Sequence, residues 1–244
     1  MNMRGEGERQ QRSFLHHKIS TSASLIREMV FGLEDGIVST TGAIIGIAAG
    51  SQDNRIVILS GMVIVVVEAL SMAAGSFLSS KSHRQLLERK IEEERQEIEE
   101  KPLEEIAELR AMYRDRGFSQ DEVELIVRRV IRDKNLWLEE MITKELQIGL
   151  GQLEHPRSAA LMMWLSYTVG GIIPILPFVF LGVGSASVTA FVIGLVSLFL
   201  LGVWKAKITA TSRWRSGLEM LVVAGAAGTI GFLVGRLAAA IVGI

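Results

Sequence analysis

Ile56-Val57-Ile58-Leu59-Ser60-Gly61-Met62-Val63-Ile64-Val65-Val66-Val67-Glu68-Ala69-Leu70-Ser71-Met72-Ala73-Ala74-Gly75-Ser76-Phe77-Leu78-Ser79-Ser80 is a run of 25 residues with a single charge, Glu68, at its thirteenth position. A bilayer core of about 30 Å takes roughly 20 helical residues at about 1.5 Å each, so the run reads as a membrane-crossing helix with one carboxylate near its middle. Downstream, 47 uncharged residues separate Arg157 from Lys205, enough for two spans with the small, polar stretch Gly182-Val183-Gly184-Ser185-Ala186-Ser187 as the turn. Another span is expected from about Gly217 to Val242, with Glu219 near its start and Arg236 near its end. Upstream, the charge-free run Gly36 to Gln52 has only 17 residues. That length reaches about 26 Å, so the first span must borrow Met29-Val30-Phe31-Gly32-Leu33 and carry Glu34 and Asp35 into or near the hydrocarbon, where ionised carboxylates are expensive.

Composition agrees with this reading. Of 244 residues 49% are hydrophobic and only 6% aromatic, and the mean hydropathy is +0.34, a balance foreign to a soluble globule. Cysteine is absent, which excludes disulfides, thiolate metal sites and cysteine nucleophiles. The net charge of -1 supplies no global basic field for nucleic acid. Lys and Arg cluster in the N-terminal segment (Arg4, Arg9, Arg12, Lys18, Arg27) and after the fourth span (Lys205, Lys207, Arg213, Arg215), which places both in the cytoplasm and the C-terminus outside. Residues 1 to 24 lack the apolar region of a cleavable signal and read as a basic tail.

Residues 81 to 157 hold 19 of the 27 acidic and 15 of the 26 basic residues, too long and charged for an ordinary loop. The pattern is helical: Leu87, Ile91 and Ile98 mark a helix continuing out of the second span and broken at Lys101-Pro102. Leu103, Ile106, Leu109 and Tyr113 mark a second, ended by Gly117. Ser119 with Glu122 forms a capping box opening a third through Val123, Ile126, Val127 and Val130, and a fourth follows Asn135. The chain is thus expected to be an all-α integral membrane protein with five transmembrane helices and a helical cytoplasmic insert between the second and third. Its domains are 1–27, a cytoplasmic N-terminal segment; 28–80, helices one and two; 81–157, the acidic insert; and 158–244, helices three to five.

Four groups of residues could carry chemistry. Glu68 and Met72 are one helical turn apart, and a carboxylate with a thioether suits a borderline divalent ion such as Fe²⁺; the same pair also fits a hydrogen-bonded Glu beside a packing Met. Glu34-Asp35-Gly36 offers two carboxylates about 100° apart on the helix, one to bind metal and the other to exchange protons, or an interfacial acidic pair. In the insert, Glu94 with Glu97, Glu105 with Glu108, and Met141 with Glu145 share helix faces, so three helices could bring six ligands to a metal cluster, although Glu-rich faces are commonly just solvated. The run Gly170-Gly171-Ile172-Ile173-Pro174-Ile175-Leu176-Pro177 is expected to kink or unwind the third span. Gly42, Gly46 and Gly50 form a small-residue stripe for tight helix contact.

Taken together, Phe31-Gly32-Leu33-Glu34-Asp35-Gly36, Ala69-Leu70-Ser71-Met72-Ala73-Ala74-Gly75, Ser80-Lys81-Ser82 and the Gly-Gly-x-x-Pro-x-x-Pro run resemble the vacuolar iron transporter family over roughly residues 27 to 243. The resemblance implies a homodimer in the lipid membrane that moves Fe²⁺ out of the cytosol, into a vacuole or the cell exterior, in exchange for protons. Mn²⁺, Co²⁺ and Zn²⁺ are further candidate ions. It also implies transport roles for Asp35 and Met72, with Glu68 adding a carboxylate one turn away, and metal binding by Glu94, Glu97, Glu105, Glu108, Met141 and Glu145. Where plant-like members have two adjacent methionines this chain has Met141-Ile142, so one soft ligand is missing. Glu34 departs from the small polar residue more usual before Asp-Gly. The competing reading is a non-transporting membrane metal sensor or scaffold with an acidic platform. An enzyme is not expected: an intramembrane aspartyl protease needs two aspartates, and the spans offer only Asp35.

Overall fold

The computed structural model describes residues 20–145, 155–222 and 225. Seven helices follow one another: α1 (Ser20–Ser51), α2 (Asn54–Glu100), α3 (Pro102–Asp115), α4 (Gln120–Val130), α5 (Lys134–Lys144), α6 (Pro156–Phe180) and α7 (Val183–Thr209). A further helical stretch covers 213–222, and no strand occurs among the described residues. The chain divides into two compact units, one containing Ser79–His155 and the other Ser24–Leu78 with the residues from Pro156 on.

Among the described residues, four helices are long and apolar enough to cross a membrane: Ala23–Ser51, the apolar part of α2, α6 and α7. The first extends upstream as its short charge-free run requires, so Glu34 and Asp35 lie well inside a 32-residue helix. The expected fifth span from Gly217 to Val242 falls, beyond its opening turn, outside the described residues. Ile44, Ala48, Val57, Val65, Ile175, Phe178, Ala186 and Ala190 form the core of this unit. Leu59, Val63, Val67, Leu70, Val188 and Val192 are all more than half exposed, a surface suited to lipid and not to water. The turn between α6 and α7 is shorter than the 182–187 stretch expected. Only Leu181 and Gly182 are left between the helices, because the Gly182 carbonyl already accepts the Ala186 N–H at 2.8 Å and the Ser187 hydroxyl bonds back to the Val183 carbonyl at 2.8 Å. Nor does the double proline unwind α6, which continues through Pro174 and Pro177. At its end Asn54 donates to the carbonyls of Phe178 at 2.9 Å and Leu181 at 2.6 Å, so groups freed at the terminus find a partner on α2.

The helices α1 and α6 touch through glycine. A Cβ on Gly36 would stand 2.5 Å from the Tyr167 carbonyl oxygen, and one on Gly170 would stand 2.6 Å from that of Leu33. The stripe of Gly42, Gly46 and Gly50 does not behave this way. It is exposed, with no described residue within 4 Å of where a side chain would begin, so the expected tight contact is not made among the described residues.

In the other unit, the charged end of α2 with α3, α4 and α5 enclose Ile98, Leu109, Tyr113, Val123, Val127, Val130, Trp137, Leu138, Met141 and Ile142. Pro102 stands at the first turn of α3, where its missing N–H costs nothing. The α3 terminus is a Schellman motif: Gly117, at φ 88°, donates to Arg114 at 2.8 Å and Phe118 donates to Tyr113 at 3.3 Å, with the Tyr113 and Phe118 rings packed edge to face at 5.5 Å. Glu122 accepts the backbone N–H of Ser119 at 2.9 Å, the capping-box contact that opens α4. Two local expectations change. The helix expected after Asn135 starts ahead of it, at Lys134, capped by Asp133, whose carboxylate accepts the N–H groups of Asn135 at 2.9 Å and Leu136 at 3.3 Å. Leu103 is 82% exposed because it lies in the first turn of α3, ahead of the buried face of Glu105, Leu109 and Tyr113.

Candidate functional site

Polar side chains meet between the spans at Glu68. Its Oε2 accepts a hydrogen bond from the Ser39 hydroxyl of α1 at 3.1 Å and another from the Tyr167 hydroxyl of α6, and the Ser39 and Tyr167 oxygens stand 2.5 Å apart. Tyr167 is fully buried. Three spans therefore hold one carboxylate, which answers the desolvation cost of charge in the hydrocarbon with fixed dipoles. Gly36 brings the α6 backbone in at Tyr167, so the glycine after Asp35 serves close approach and not a helix break.

A second pair fixes how α1 and α2 face each other. Glu28, 7% exposed, accepts from the Ser76 hydroxyl at 2.8 Å and from Arg27 at 3.1 Å. With Ser39 bound to Glu68 and Glu28 bound to Ser76, the antiparallel register sets Asp35 at about the level of Met72. Asp35 lies within electrostatic reach of Glu68, and Met72 is half-buried one turn along α2. Glu34 lies within electrostatic reach of Lys205, Asp35 and Glu219. Glu28, Ser39 and Tyr167 escaped the sequence reading. The seven-residue interval from Glu28 to Asp35, two helical turns, was a usable signal, and Tyr167 is one of only two tyrosines.

In the insert, carboxylate oxygens of Glu94, Glu105 and Glu145 all lie within 4.8 Å of one another. Oxygen–metal bonds of about 2.0–2.6 Å place oxygens on opposite sides of one ion about 4–5 Å apart, so the three are spaced to share a cation. Glu94 is 3% and Glu105 4% exposed, and Glu94 Oε1 and Glu105 Oε2 are buried without a hydrogen-bond partner. Burial, then the charges of Glu145 and Glu105, pushes the Glu94 carboxyl up to about 8. Glu105 is raised by burial and by Glu108 and Glu145, and Glu145 by burial and by Glu108 and Glu97. Helical spacing made Glu94 and Glu97 equal members, and likewise Glu105 and Glu108; packing separates them, leaving Glu97 and Glu108 exposed and acting through charge. Met141 is fully buried in the core, and its carbonyl accepts the Glu145 N–H at 2.8 Å. The α5 helix is held to α3 by Tyr113, which donates to Glu140 at 2.7 Å and lies under the Lys144 ammonium.

Known proteins similar in sequence are vacuolar iron transporters by name. The chain is 27% identical over 204 residues to a vacuolar iron transporter 1 of Oryza sativa subsp. japonica, covering 83% of this chain and 81% of that protein. It is 26% identical over 224 residues to vacuolar iron transporter 1 of Arabidopsis thaliana, covering 91% and 90%, and 27% identical over 234 residues to a vacuolar iron transporter of Toxoplasma gondii, covering 92% and 78%. Residues 26–236 match the VIT family. With that match spanning most of the chain and several apolar helices of membrane-crossing length, this is a multi-pass integral membrane protein that belongs to the VIT family.

Proposed function

We propose that the protein is a proton-coupled transporter that moves Fe²⁺ out of the cytosol, with Mn²⁺ and other divalent transition metals as further substrates. The observation that carries the reading is the intramembrane carboxylate Glu68, set among Ser39, Tyr167 and Asp35 at about the level of Met72. A hard oxygen and a soft sulfur along one path suit a borderline ion and disfavour Mg²⁺ and Ca²⁺. The names of the relatives support iron. Asp35, Glu68 and Met72 are the pathway residues; Glu34, within electrostatic reach of Lys205, tunes the charge beside it.

Glu94, Glu105 and Glu145 collect the ion on the cytoplasmic side, Glu97 and Glu108 add negative potential, and Met141 sets the position of Glu145. The basic residues near Arg27 and from Lys205 to Arg215 support a cytoplasmic N-terminus and insert with the C-terminus outside. The open glycine stripe at 42, 46 and 50 supports pairing of two copies along α1. Purified protein in liposomes carrying a pH gradient tests the reading: Fe²⁺ should move with opposite proton flow. Metal binding without any flux would make the protein a membrane metal sensor instead.

A further inference from the structure

Inside the span, Glu68 is the only described carboxylate on α2 between Asn54 and Ser80, and two hydroxyls from two other helices converge on the same one of its oxygens. We infer that Tyr167 and Ser39 are positioning residues for transport: they clasp Glu68 through Oε2 so that its other oxygen is presented toward the passing cation. The inference rests on the transport reading above.

Three observations carry it. First, a free Glu side chain has three rotatable bonds, and in a bilayer it would swing to find water or another helix; hydrogen bonds from α1 and α6 remove that freedom. Second, Tyr167 is fully buried, and its ring fills space between spans while its hydroxyl reaches a partner, the arrangement expected of a tyrosine chosen over phenylalanine. Third, the backbone is built to bring Tyr167 there: Gly36 leaves room for the Tyr167 carbonyl and for Gly171 N, so the hydroxyl meets α2 only because α1 and α6 approach without side chains between them.

The hydroxyls also supply what water would supply outside. A carboxylate that must receive and release an ion needs solvation that does not leave with the ion, and two fixed dipoles on one oxygen provide it while leaving lone pairs on the other. The substrate ion therefore meets an oriented ligand and not a mobile one.

The test uses full-length protein in liposomes and compares the parent with Tyr167→Phe, Ser39→Ala, Ser39→Thr and Glu68→Gln. Hydrogen bonds to charged groups are worth about tenfold or more. Tyr167→Phe and Ser39→Ala should each lower maximal Fe²⁺ flux by about tenfold, and Ser39→Thr, which keeps the hydroxyl, should retain it. Infrared difference spectra supply a readout that packing alone would not move. The carboxylate band absent from Glu68→Gln should shift in Tyr167→Phe and Ser39→Ala. Parental flux in both hydroxyl-deletion variants, or lost flux with that band unmoved, overturns the clasp. If Glu68→Gln stops transport while Tyr167→Phe and Ser39→Ala both transport at the parental rate, the transport reading stands and the clasp falls. A parent without flux sinks the transport reading, and the infrared band alone then decides whether Glu68 is held.

Discussion

Replacing Gly36 by alanine tests how closely the membrane site depends on one backbone contact. The new Cβ would lie 2.5 Å from the Tyr167 carbonyl oxygen and 2.9 Å from Gly171 N, where ordinary contact begins at 3.4 Å. Both obstacles are backbone atoms, so no rotamer change relieves them, and α1 and α6 must part by about 0.9 Å at this level. Overpacking of this kind costs about 1–3 kcal/mol, which a helix pair buried in lipid can absorb. The functional effect is expected to be larger. Ser39 is one turn beyond Gly36, and its 2.5 Å contact with the Tyr167 oxygen would open as the helices part, loosening the hold on Glu68. A misplacement of about 1 Å in a working site costs roughly 100-fold. The assay is Fe²⁺ flux into liposomes, with Gly36→Ala compared with the parent and with Gly184→Ala, where nothing described stands within 4 Å of the added methyl. Gly184→Ala should transport normally. If Gly36→Ala transports at the parental rate and melts at the parental temperature, the α1–α6 contact does not set the site.

Three further outcomes are expected. Asp35→Asn and Met72→Ala should each cut flux while leaving insertion and self-association intact, because both remove ligands and neither fills the apolar core; parental rates in both would refute the path drawn through them. In the insert, calorimetric titration with Co²⁺ should show loss of binding when Glu94, Glu97, Glu105 and Glu108 are all changed to alanine. The pH dependence has a definite sign: Glu94 holds its proton up to about 8 against an ordinary 4.5, so across that interval the folded chain keeps a proton that an unfolded chain releases, and stability falls as pH rises. An incoming cation must displace this proton. Binding should therefore strengthen toward pH 8 and weaken by about tenfold per pH unit below it, and pH-independent affinity would remove Glu94 from the ligand set. Finally, if two copies pair along α1 as proposed, Gly42→Leu with Gly46→Leu should shift the detergent-solubilised protein to a monomer on light scattering, whereas an unchanged mass would assign the stripe to other contacts.

Much of this architecture was legible because its causes are local. Charge-free runs of membrane length mark the spans wherever they lie, since the bilayer sets the same requirement for every helix. Lys101-Pro102 and Gly117 end helices by restricting or releasing backbone angles at their own positions, and Ser119 with Glu122 opens one within a single turn. Local signals also misled: in the small-residue stretch after Gly182 the Ser187 hydroxyl bonds back to the Val183 carbonyl and α7 starts early, and α6 continues through the double proline.

What needed three dimensions was the choice among residues that look alike along the chain. Glu94 and Glu97 have the same chemistry and the same helix, yet only Glu94 is buried, beside Glu105 and Glu145, and stripped of water; the helical phase relative to α3 and α5 decides this, and no spacing rule within α2 contains that phase. Tyr167 and Ser39 are 128 residues apart and meet at Glu68 because glycines let α1 and α6 touch. A hydroxyl in an apolar run reads the same whether it faces lipid or a carboxylate. Composition thus determined that the chain crosses a membrane and carries acid in its spans and insert, while helix contacts alone decided which carboxylates are held, buried and able to share an ion.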